Sequence, residues 1–221
     1  MNELFNAERP MRKSLAPKNL ISRGIPKHLI EVSVNDLDDF GSEERRKFVD
    51  FMTNYLNNIN SVFQNNQGLF LFGSNGVGKS FCSCLIVKMA YAYRYTSRRC
   101  TFMEYITEYT RLWNIKNADE KEQAEGMFYH KYKAVEFLVL EEIGKEVDSK
   151  VSAPILEDLL RYREDHGLPT IICTNLNVST LREKYGNSCM SLLQGNMTPV
   201  TIESKDVRSK SFKKRLKKVS K

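Results

Sequence analysis

Short apolar runs alternate along this chain with segments whose apolar residues recur at helical spacing. Runs at residues 67–72, 135–140 and 169–174 predict buried strands, and weaker runs at 100–103 and 199–203 predict two more. Two of these runs are apolar throughout rather than at alternate positions. Such strands are typical of a parallel sheet that is covered on both faces.

Helices are predicted between these runs. In residues 43–63 apolar side chains recur every three or four positions, behind a Ser42 N-cap and with Glu43 and Glu44 in the first turn. Further helical segments are predicted at 79–95, 104–115, 118–132, 152–166 and 180–185. The alternation of strands and helices predicts an α/β fold with a central parallel sheet.

The two ends of the chain differ from the rest in pattern and in charge. Residues 1–24 lack periodicity, which predicts an extended arm before a folded domain over residues 25–204. Residues 205–221 hold nine Lys or Arg and one Asp, a net charge of +8, and residues 1–28 add +4. Since the whole chain is +7, residues 29–204 carry −5. Basic ends favour contact with nucleic-acid phosphates or an acidic protein face, although a solvated terminus has the same composition.

The length and the remaining composition exclude several classes of protein. The 221 residues suit one domain, and the longest apolar runs are too short for a membrane span. The N-terminus lacks the apolar core of a secretory signal, so a cytoplasmic protein is expected. The five cysteines lack zinc-site spacing, which favours reduced, buried thiols.

A glycine-rich turn lies between the first predicted strand and the next helix. Residues 73–80, Gly-Ser-Asn-Gly-Val-Gly-Lys-Ser, match G-x-x-x-x-G-K-[ST] at every fixed position. Its glycines let successive backbone N–H groups point at phosphate oxygens, Lys79 supplies a charge to the β- and γ-phosphates, and the Ser80 hydroxyl can bind Mg²⁺. The predicted ATP-binding residues are Gly73, Ser74, Asn75, Gly76, Val77, Gly78, Lys79, Ser80 and Phe81.

Two acids end the third predicted strand, 62 residues after Lys79. We assign Glu141 to Mg²⁺, together with Ser80, and Glu142 to the attacking water, because ligands of such sheets bind at the carboxyl ends of the strands. Glu141 is one methylene longer than the usual Asp, and without the glycine-rich turn the pair would be ordinary solvated acids. Asn175 ends a strand expected beside the acidic one, where it would contact the γ-phosphate or the water; by itself it is an ordinary strand cap.

These motifs together resemble a known family. The segments GSNGVGKS (73–80), FLVLEEIG (137–144) and LLRYREDHGLPTIICTNL (159–176) resemble the DnaC/DnaI-type replicative helicase loaders, a branch of the AAA+ ATPases, and the related IstB-type transposition ATPases. The resemblance covers about residues 24–208. It implies a P-loop NTPase fold, an AAA+ αβα sandwich, that assembles head to tail with ATP between neighbours. It also implies contacts with single-stranded DNA and a replicative helicase as partner.

The resemblance implies a helical insertion between the second strand and the acidic strand, for which residues 104–133 have the right length. Tyr105, Tyr109, Arg111 and Trp113 lie there, and aromatic rings with an arginine can stack on bases. The same residues also fit the apolar stripe of a helix.

The chain departs from the family pattern in two places. Only about 24 residues precede the ATPase domain, where family loaders usually carry a helicase-binding domain. Residues 185–195, where the family places an arginine finger, contain no arginine, which predicts slow hydrolysis or a finger from elsewhere, with Arg161 and Arg163 nearest. Arg208 matches a late arginine of the family that senses the γ-phosphate, or else it simply begins the basic tail.

The leading hypothesis is an ATPase that loads a replicative helicase onto single-stranded DNA. Two alternatives remain: an IstB-like transposition ATPase that binds duplex DNA, and a weakly hydrolysing adaptor gated by nucleotide.

Overall fold

The computed structural model describes residues 9–39, 41–146 and 149–202, which form a single five-stranded sheet with helices on both faces. The strands are β1 (Gly68–Phe72), β2 (Ser97–Thr101), β3 (Phe137–Ile143), β4 (Thr170–Thr174) and β5 (Met197–Thr201). Their order in the sheet is β2-β3-β4-β1-β5, and every pair is parallel. The predicted parallel sheet is therefore confirmed, as is the expectation that the strand ending at Asn175 lies beside the acidic strand.

Eight α-helices accompany the strands in the described part of the chain. They are α1 (Pro17–Ile21), α2 (Glu43–Asn57), α3 (Ile59–Gln64), α4 (Lys79–Ala92), α5 (Phe102–Arg111), α6 (Ala118–Phe128), α7 (Ser149–Asp165) and α8 (Val178–Asn196). Short 3₁₀ turns lie at Lys27–Leu29, Val34–Asp36 and Leu112–Asn114, and a π-helical turn lies at Tyr129–Lys133.

The hydrophobic core has two halves, one on each face of the sheet. Leu69 and Leu71 of β1 point toward the side covered by α2, α3 and α4, whereas Phe70 points toward the side covered by α5 to α8. In β3, Val139 and Leu140 divide in the same way. Because both faces are covered, β1 and β3 need apolar residues at successive positions, which explains the continuous runs in the sequence.

Several boundaries differ from the predicted ones. The helix predicted over 43–63 is divided at Asn58, whose φ of −106° and ψ of 32° leave the helical region; the Ser42 cap is present and accepts a hydrogen bond from the Arg45 N–H. The second strand begins at Ser97 rather than at residue 100. It ends where Thr101 and Glu104 form a capping box that starts α5. The short helix predicted at 180–185 extends to residue 196, with a break at Gly186.

The described part of the N-terminal arm is packed against the domain, and it is helical where we predicted an extended chain. Pro17 occupies the first turn of α1, a position that suits proline because the N–H there has no helical partner. Leu20 and Ile25 are buried in the core, and the Arg12 N–H donates to the carbonyl of Ala92 at 2.7 Å. The domain boundary at 24/25 stays a prediction, and the tail at 205–221 lies outside the described residues.

The cysteines agree with the expectation from the sequence. All five are free and buried, and burial raises the pKa of the Cys82 thiol to about 12. Among the described residues no helix has the length and apolar character needed to cross a membrane.

Candidate nucleotide-binding site

The phosphate-binding loop connects the end of β1 to the first turn of α4. Gly73, Gly76 and Gly78 have φ angles of 153°, 83° and 109°, which side chains of L residues rarely allow. At Gly73 the space is also missing, since a Cβ there would lie 2.7 Å from the Ile202 carbonyl oxygen and 2.9 Å from a methyl of Val77. The glycines therefore let the loop curl so that the N-terminus of α4 faces the cavity described below.

Lys79 is held by the loop that it follows. Its Nζ donates to the carbonyl oxygens of Gly73 at 2.6 Å and Ser74 at 2.8 Å. These bonds place the ammonium above the loop, where a phosphate chain cradled by the backbone N–H groups would meet it.

Arg45, on α2, also supports the loop. It is buried, and its guanidinium donates to the carbonyl oxygens of Val77 at 3.0 Å and Asp38 at 3.1 Å. Desolvation by burial lowers its pKa. The sequence did not single out Arg45, because it lies among other charged residues at the start of an amphipathic helix.

Glu141 lies at the carboxyl end of β3 with its carboxylate buried. Oε2 accepts a hydrogen bond from Ser80 Oγ at 3.1 Å and forms an ion pair with Arg99. Oε1 accepts a hydrogen bond from Ser83 Oγ. Two neighbouring ligands of octahedral Mg²⁺, each about 2.05 Å from the metal, lie about 2.9 Å apart. The Ser80 and Glu141 oxygens therefore fit the metal-binding pair expected from the sequence.

Glu142 has a different environment from its neighbour. Its φ of 60° accompanies an irregularity in the pairing of β3 with β4 between Leu140 and Ile143. The carboxylate is half exposed and accepts an ion pair from Lys145 Nζ at 2.6 Å. Glu141 follows the regular alternation of β3, in register with Thr101 of β2, whereas the irregularity leaves Glu142 at the rim of the same site.

Asn175 follows β4 directly and is exposed. The ends of β3 and β4 are joined there, because Thr174 Oγ1 donates to the Ile143 carbonyl at 2.8 Å and accepts from the Leu176 N–H at 3.1 Å. The Asn175 side chain is thereby carried to the cavity that the two acids also line.

A cavity of about 990 Å³ lies over these strand ends. Its volume is at the upper end of the range for small-molecule and cofactor sites. Its lining includes the predicted site residues Asn75, Gly76, Gly78, Lys79, Ser80, Phe81, Glu141, Glu142 and Asn175. It also includes residues from the segment before α2, namely Pro26, His28, Leu29, Asp36 and Leu37. Gly73, Ser74 and Val77 shape the loop without being among the lining residues; Val77 is buried in the core.

Comparison with known proteins identifies the fold. No family model matches the chain. The replicative helicase loader DnaI of Bacillus subtilis is 26% identical over 148 residues, which are 66% of this chain and 45% of DnaI. The chain thus spans less than half the length of this curated relative.

Among solved structures, the DnaC helicase loader matches with a TM-score of 0.67, 18% identity, and coverage of 80% of this chain and all of that one. The DnaI structure matches with a TM-score of 0.64 and 22% identity, and the match covers 80% of this chain and 94% of that one. The fold is that of an AAA+ P-loop protein. The chain resembles replicative helicase loaders of the DnaC/DnaI type. The initiator DnaA, bound to AMPPCP and single-stranded DNA, also matches, with a TM-score of 0.62, 17% identity, and coverage of 83% and 53%.

The arginines considered for an arginine finger differ in their exposure to solvent. Arg163 is buried and donates to Thr170 Oγ1 and to the carbonyl oxygens of Val135 and Pro169, so the suggestion that it reaches a neighbouring subunit is wrong. Arg161 is exposed, although it pairs with Glu157 at 2.7 Å. Arg208 lies outside the described residues.

The segment between β2 and β3 combines both interpretations that the sequence left open. Tyr105 is buried and packs against Phe128 and Tyr132, as expected of an apolar stripe. Trp113 is 59% exposed, and Arg111 is exposed too, as a base-stacking surface requires.

Proposed function

We propose that the protein binds and hydrolyses ATP with Mg²⁺ and loads a replicative helicase onto single-stranded DNA, with the loader assembling head to tail. The observation that carries this proposal is the convergence of Lys79, Ser80, Glu141 and Glu142 on one cavity at the carboxyl ends of β1 and β3. The resemblance to DnaI and DnaC supports the choice of a helicase as partner. Such a role would place the protein in the cytoplasm of a bacterium or a phage-infected host.

Each side chain has a role that its position suits. The loop N–H groups and Lys79 would bind the β- and γ-phosphates, and Ser80 with Glu141 would hold Mg²⁺. In this position the metal ion would supply positive charge to the phosphate oxygens. Glu142, at the solvent-accessible rim, would accept a proton from the attacking water, and Asn175 would orient that water or the γ-phosphate.

One observation favours a second candidate, a nucleotide-gated adaptor with little turnover. Lys145 Nζ occupies one oxygen of the Glu142 carboxylate at 2.6 Å, so only the other oxygen is open to an attacking water while this pair is formed. Slow hydrolysis by the protein alone fits both candidates, since residues 185–195 offer no arginine finger.

ATP turnover without DNA, with single-stranded DNA and with duplex DNA separates these functions. We expect stimulation by single strands and loss of turnover in Glu142→Gln, which retains the side-chain shape but cannot accept the proton. Stimulation by duplex alone would favour the transposition ATPase. ATP binding without turnover under all three conditions, and with the helicase present, would favour the adaptor.

The partner is tested separately by co-purification with the replicative helicase of the host. We expect an ATP-dependent complex. A protein that hydrolyses ATP but binds no such helicase would contradict the loader function and leave the ATPase assignment intact.

A further inference from the structure

Arg99, at the centre of the edge strand β2, connects two parts of the molecule that no sequence pattern relates to each other. Its side chain is only 13% exposed. Its guanidinium pairs with the Glu141 carboxylate, donates from Nε to Ser83 Oγ at 3.0 Å, and donates from Nη1 to the Gly24 carbonyl at 2.8 Å. A single planar group is thus shared between the expected metal ligand and the N-terminal segment.

The N-terminal segment, residues 22–25, is closely fitted to β2. The Arg99 N–H donates to the Arg23 carbonyl at 2.8 Å, and Arg98 donates from its side chain to the Ser22 carbonyl at 2.6 Å. Gly24 has a φ of 88°, and a Cβ on it would lie 1.9 Å from the Arg99 carbonyl oxygen. Only glycine allows this approach, which places the Gly24 carbonyl against the guanidinium.

We propose that Arg99 is a positioning residue that competes with Mg²⁺ for the Glu141 carboxylate, and that residues 22–25 hold it in the competing position through the Gly24 carbonyl. This inference rests on the proposed ATP·Mg²⁺ site. A fixed cation beside a carboxylate both occupies its lone pairs and repels a second cation, so the affinity for Mg²⁺ falls.

The arrangement has a consequence for regulation. Anything that lifts residues 22–25 from β2 would remove one of the three acceptors that fix the guanidinium, and Glu141 would become more available to Mg²⁺. A partner protein that binds the N-terminal segment would thereby strengthen Mg²⁺·nucleotide binding without touching the cavity.

A purely supporting role for Arg99 predicts the opposite sign. If Arg99 only holds the long Glu141 side chain in place, its removal leaves the carboxylate disordered, and the affinity for Mg²⁺ falls. The sign of the change in Mg²⁺ affinity therefore distinguishes competition from support.

The test compares Arg99→Gln with Arg98→Gln. Arg98 is the adjacent residue of the same strand and also binds the N-terminal segment, but it contacts the Ser22 carbonyl and the Tyr132 ring rather than Glu141. Binding of ADP is measured first, in buffer with EDTA. In a separate sample without EDTA, Mg²⁺ is then titrated calorimetrically into the ADP complex. We expect Mg²⁺ to bind about tenfold more tightly in Arg99→Gln and within about twofold of the wild type in Arg98→Gln.

The outcomes separate the two proposals. A wild-type protein that does not bind ADP would overturn the proposed function and this inference with it. ADP binding with unchanged or weaker Mg²⁺ affinity in Arg99→Gln would overturn the competition alone.

Two further variants allow for misfolding of Arg99→Gln and test the N-terminal segment. Arg99→Lys retains the charge but not the fork of donors, so competition predicts Mg²⁺ affinity within about twofold of wild type, whereas a change as large as that of Arg99→Gln contradicts it.

Gly24→Ala displaces the carbonyl from Arg99, and we expect about threefold tighter Mg²⁺ binding. Its control is Gly41→Ala, where φ is 75° but a Cβ would meet nothing within 4 Å. Equal affinities in these two alanine variants would exclude the role of residues 22–25.

Discussion

A buried arginine joins the starts of two central strands. Arg163 is 1% exposed, and within the described residues its hydrogen-bond acceptors are carbonyl and hydroxyl oxygens rather than a carboxylate. Among them are the Val135 carbonyl, just before β3, and the Pro169 carbonyl, just before β4. Desolvation by burial lowers the pKa of Arg163. The charge is thus used to donate hydrogen bonds to buried backbone oxygens beside the two strand starts.

Replacing Arg163 should therefore be costly although no ion pair is lost. We expect Arg163→Met to lower the free energy of unfolding by about 3–5 kcal/mol, because several buried acceptors lose their donors at once. Urea denaturation measures this.

Arg161→Ala is the matched control, since Arg161 lies two residues away on the same helix, is exposed, and forms a surface pair with Glu157. Because that pair is exposed to solvent, its loss should lower the free energy of unfolding far less than the loss of Arg163 does. Similar losses in the two variants would contradict the structural role given to Arg163.

At the scale of elements, the insertion between β2 and β3 places aromatic rings in two different environments. Tyr105 of α5 lies in the core between the sheet and α6, whereas Trp113, in the 3₁₀ turn after α5, packs on one side against Tyr109 and is otherwise exposed. The capping box of Thr101 and Glu104 fixes where α5 begins, and so fixes which residues of the helix face inward.

Trp113 and Tyr105 should therefore respond differently to truncation. Trp113→Ala is expected to weaken single-stranded DNA binding by about fivefold or more, since a stacked base is worth about 1–3 kcal/mol, with little change in unfolding free energy. Tyr105→Ala should instead lower that free energy by about 3–5 kcal/mol. Fluorescence anisotropy with a labelled oligonucleotide and urea denaturation give the two readouts. Unchanged DNA affinity in Trp113→Ala would remove this surface from the DNA-binding interpretation.

The elements also show which features the sequence can reveal. The loop at residues 73–80 and the acids after β3 were found because each has a short pattern imposed by backbone geometry. The start of β2 was missed because Arg98 and Arg99 interrupt its apolar pattern; their side chains bind residues 22–25 and Glu141, which no local pattern reports. The extension of α8 was missed because Gly186 interrupts the helical geometry midway, with a φ of 80°.

At the scale of the whole molecule, the strand order brings the predicted site residues together at the carboxyl ends of β1, β4 and β3. With β4 between β1 and β3, the Asn175 amide lies between the phosphate-binding loop and the acidic strand end. Each of these groups follows a strand at its carboxyl end, where the crevice of an open parallel sheet lies. The placement of these groups at the strand ends could be inferred from the predicted strands, whereas the exposure of Glu142 depends on the irregular pairing of β3 with β4.

Positive and negative charge lie in different parts of the chain, because a strongly basic tail follows the mildly acidic residues 29–204. The tail, residues 205–221, carries nine Lys or Arg and one Asp. If the tail binds single-stranded DNA, each phosphate that it neutralises contributes about 0.7 to the negative slope of log K against log salt concentration. Removing residues 205–221 should therefore flatten that slope by at least about 2, with a greater loss of affinity at low salt than at high salt.

A second variant separates charge from length. Replacing the nine basic tail residues with glutamine retains the chain length, and we expect the same flattening of the slope as in the deletion. If the slope is unchanged in both variants while the complex with the helicase is lost, the tail binds an acidic protein face instead. In that case contact with DNA would rest on the folded domain, and Trp113 would become the first residue to test, since an exposed ring can stack on bases and such stacking depends less on salt than a phosphate contact does.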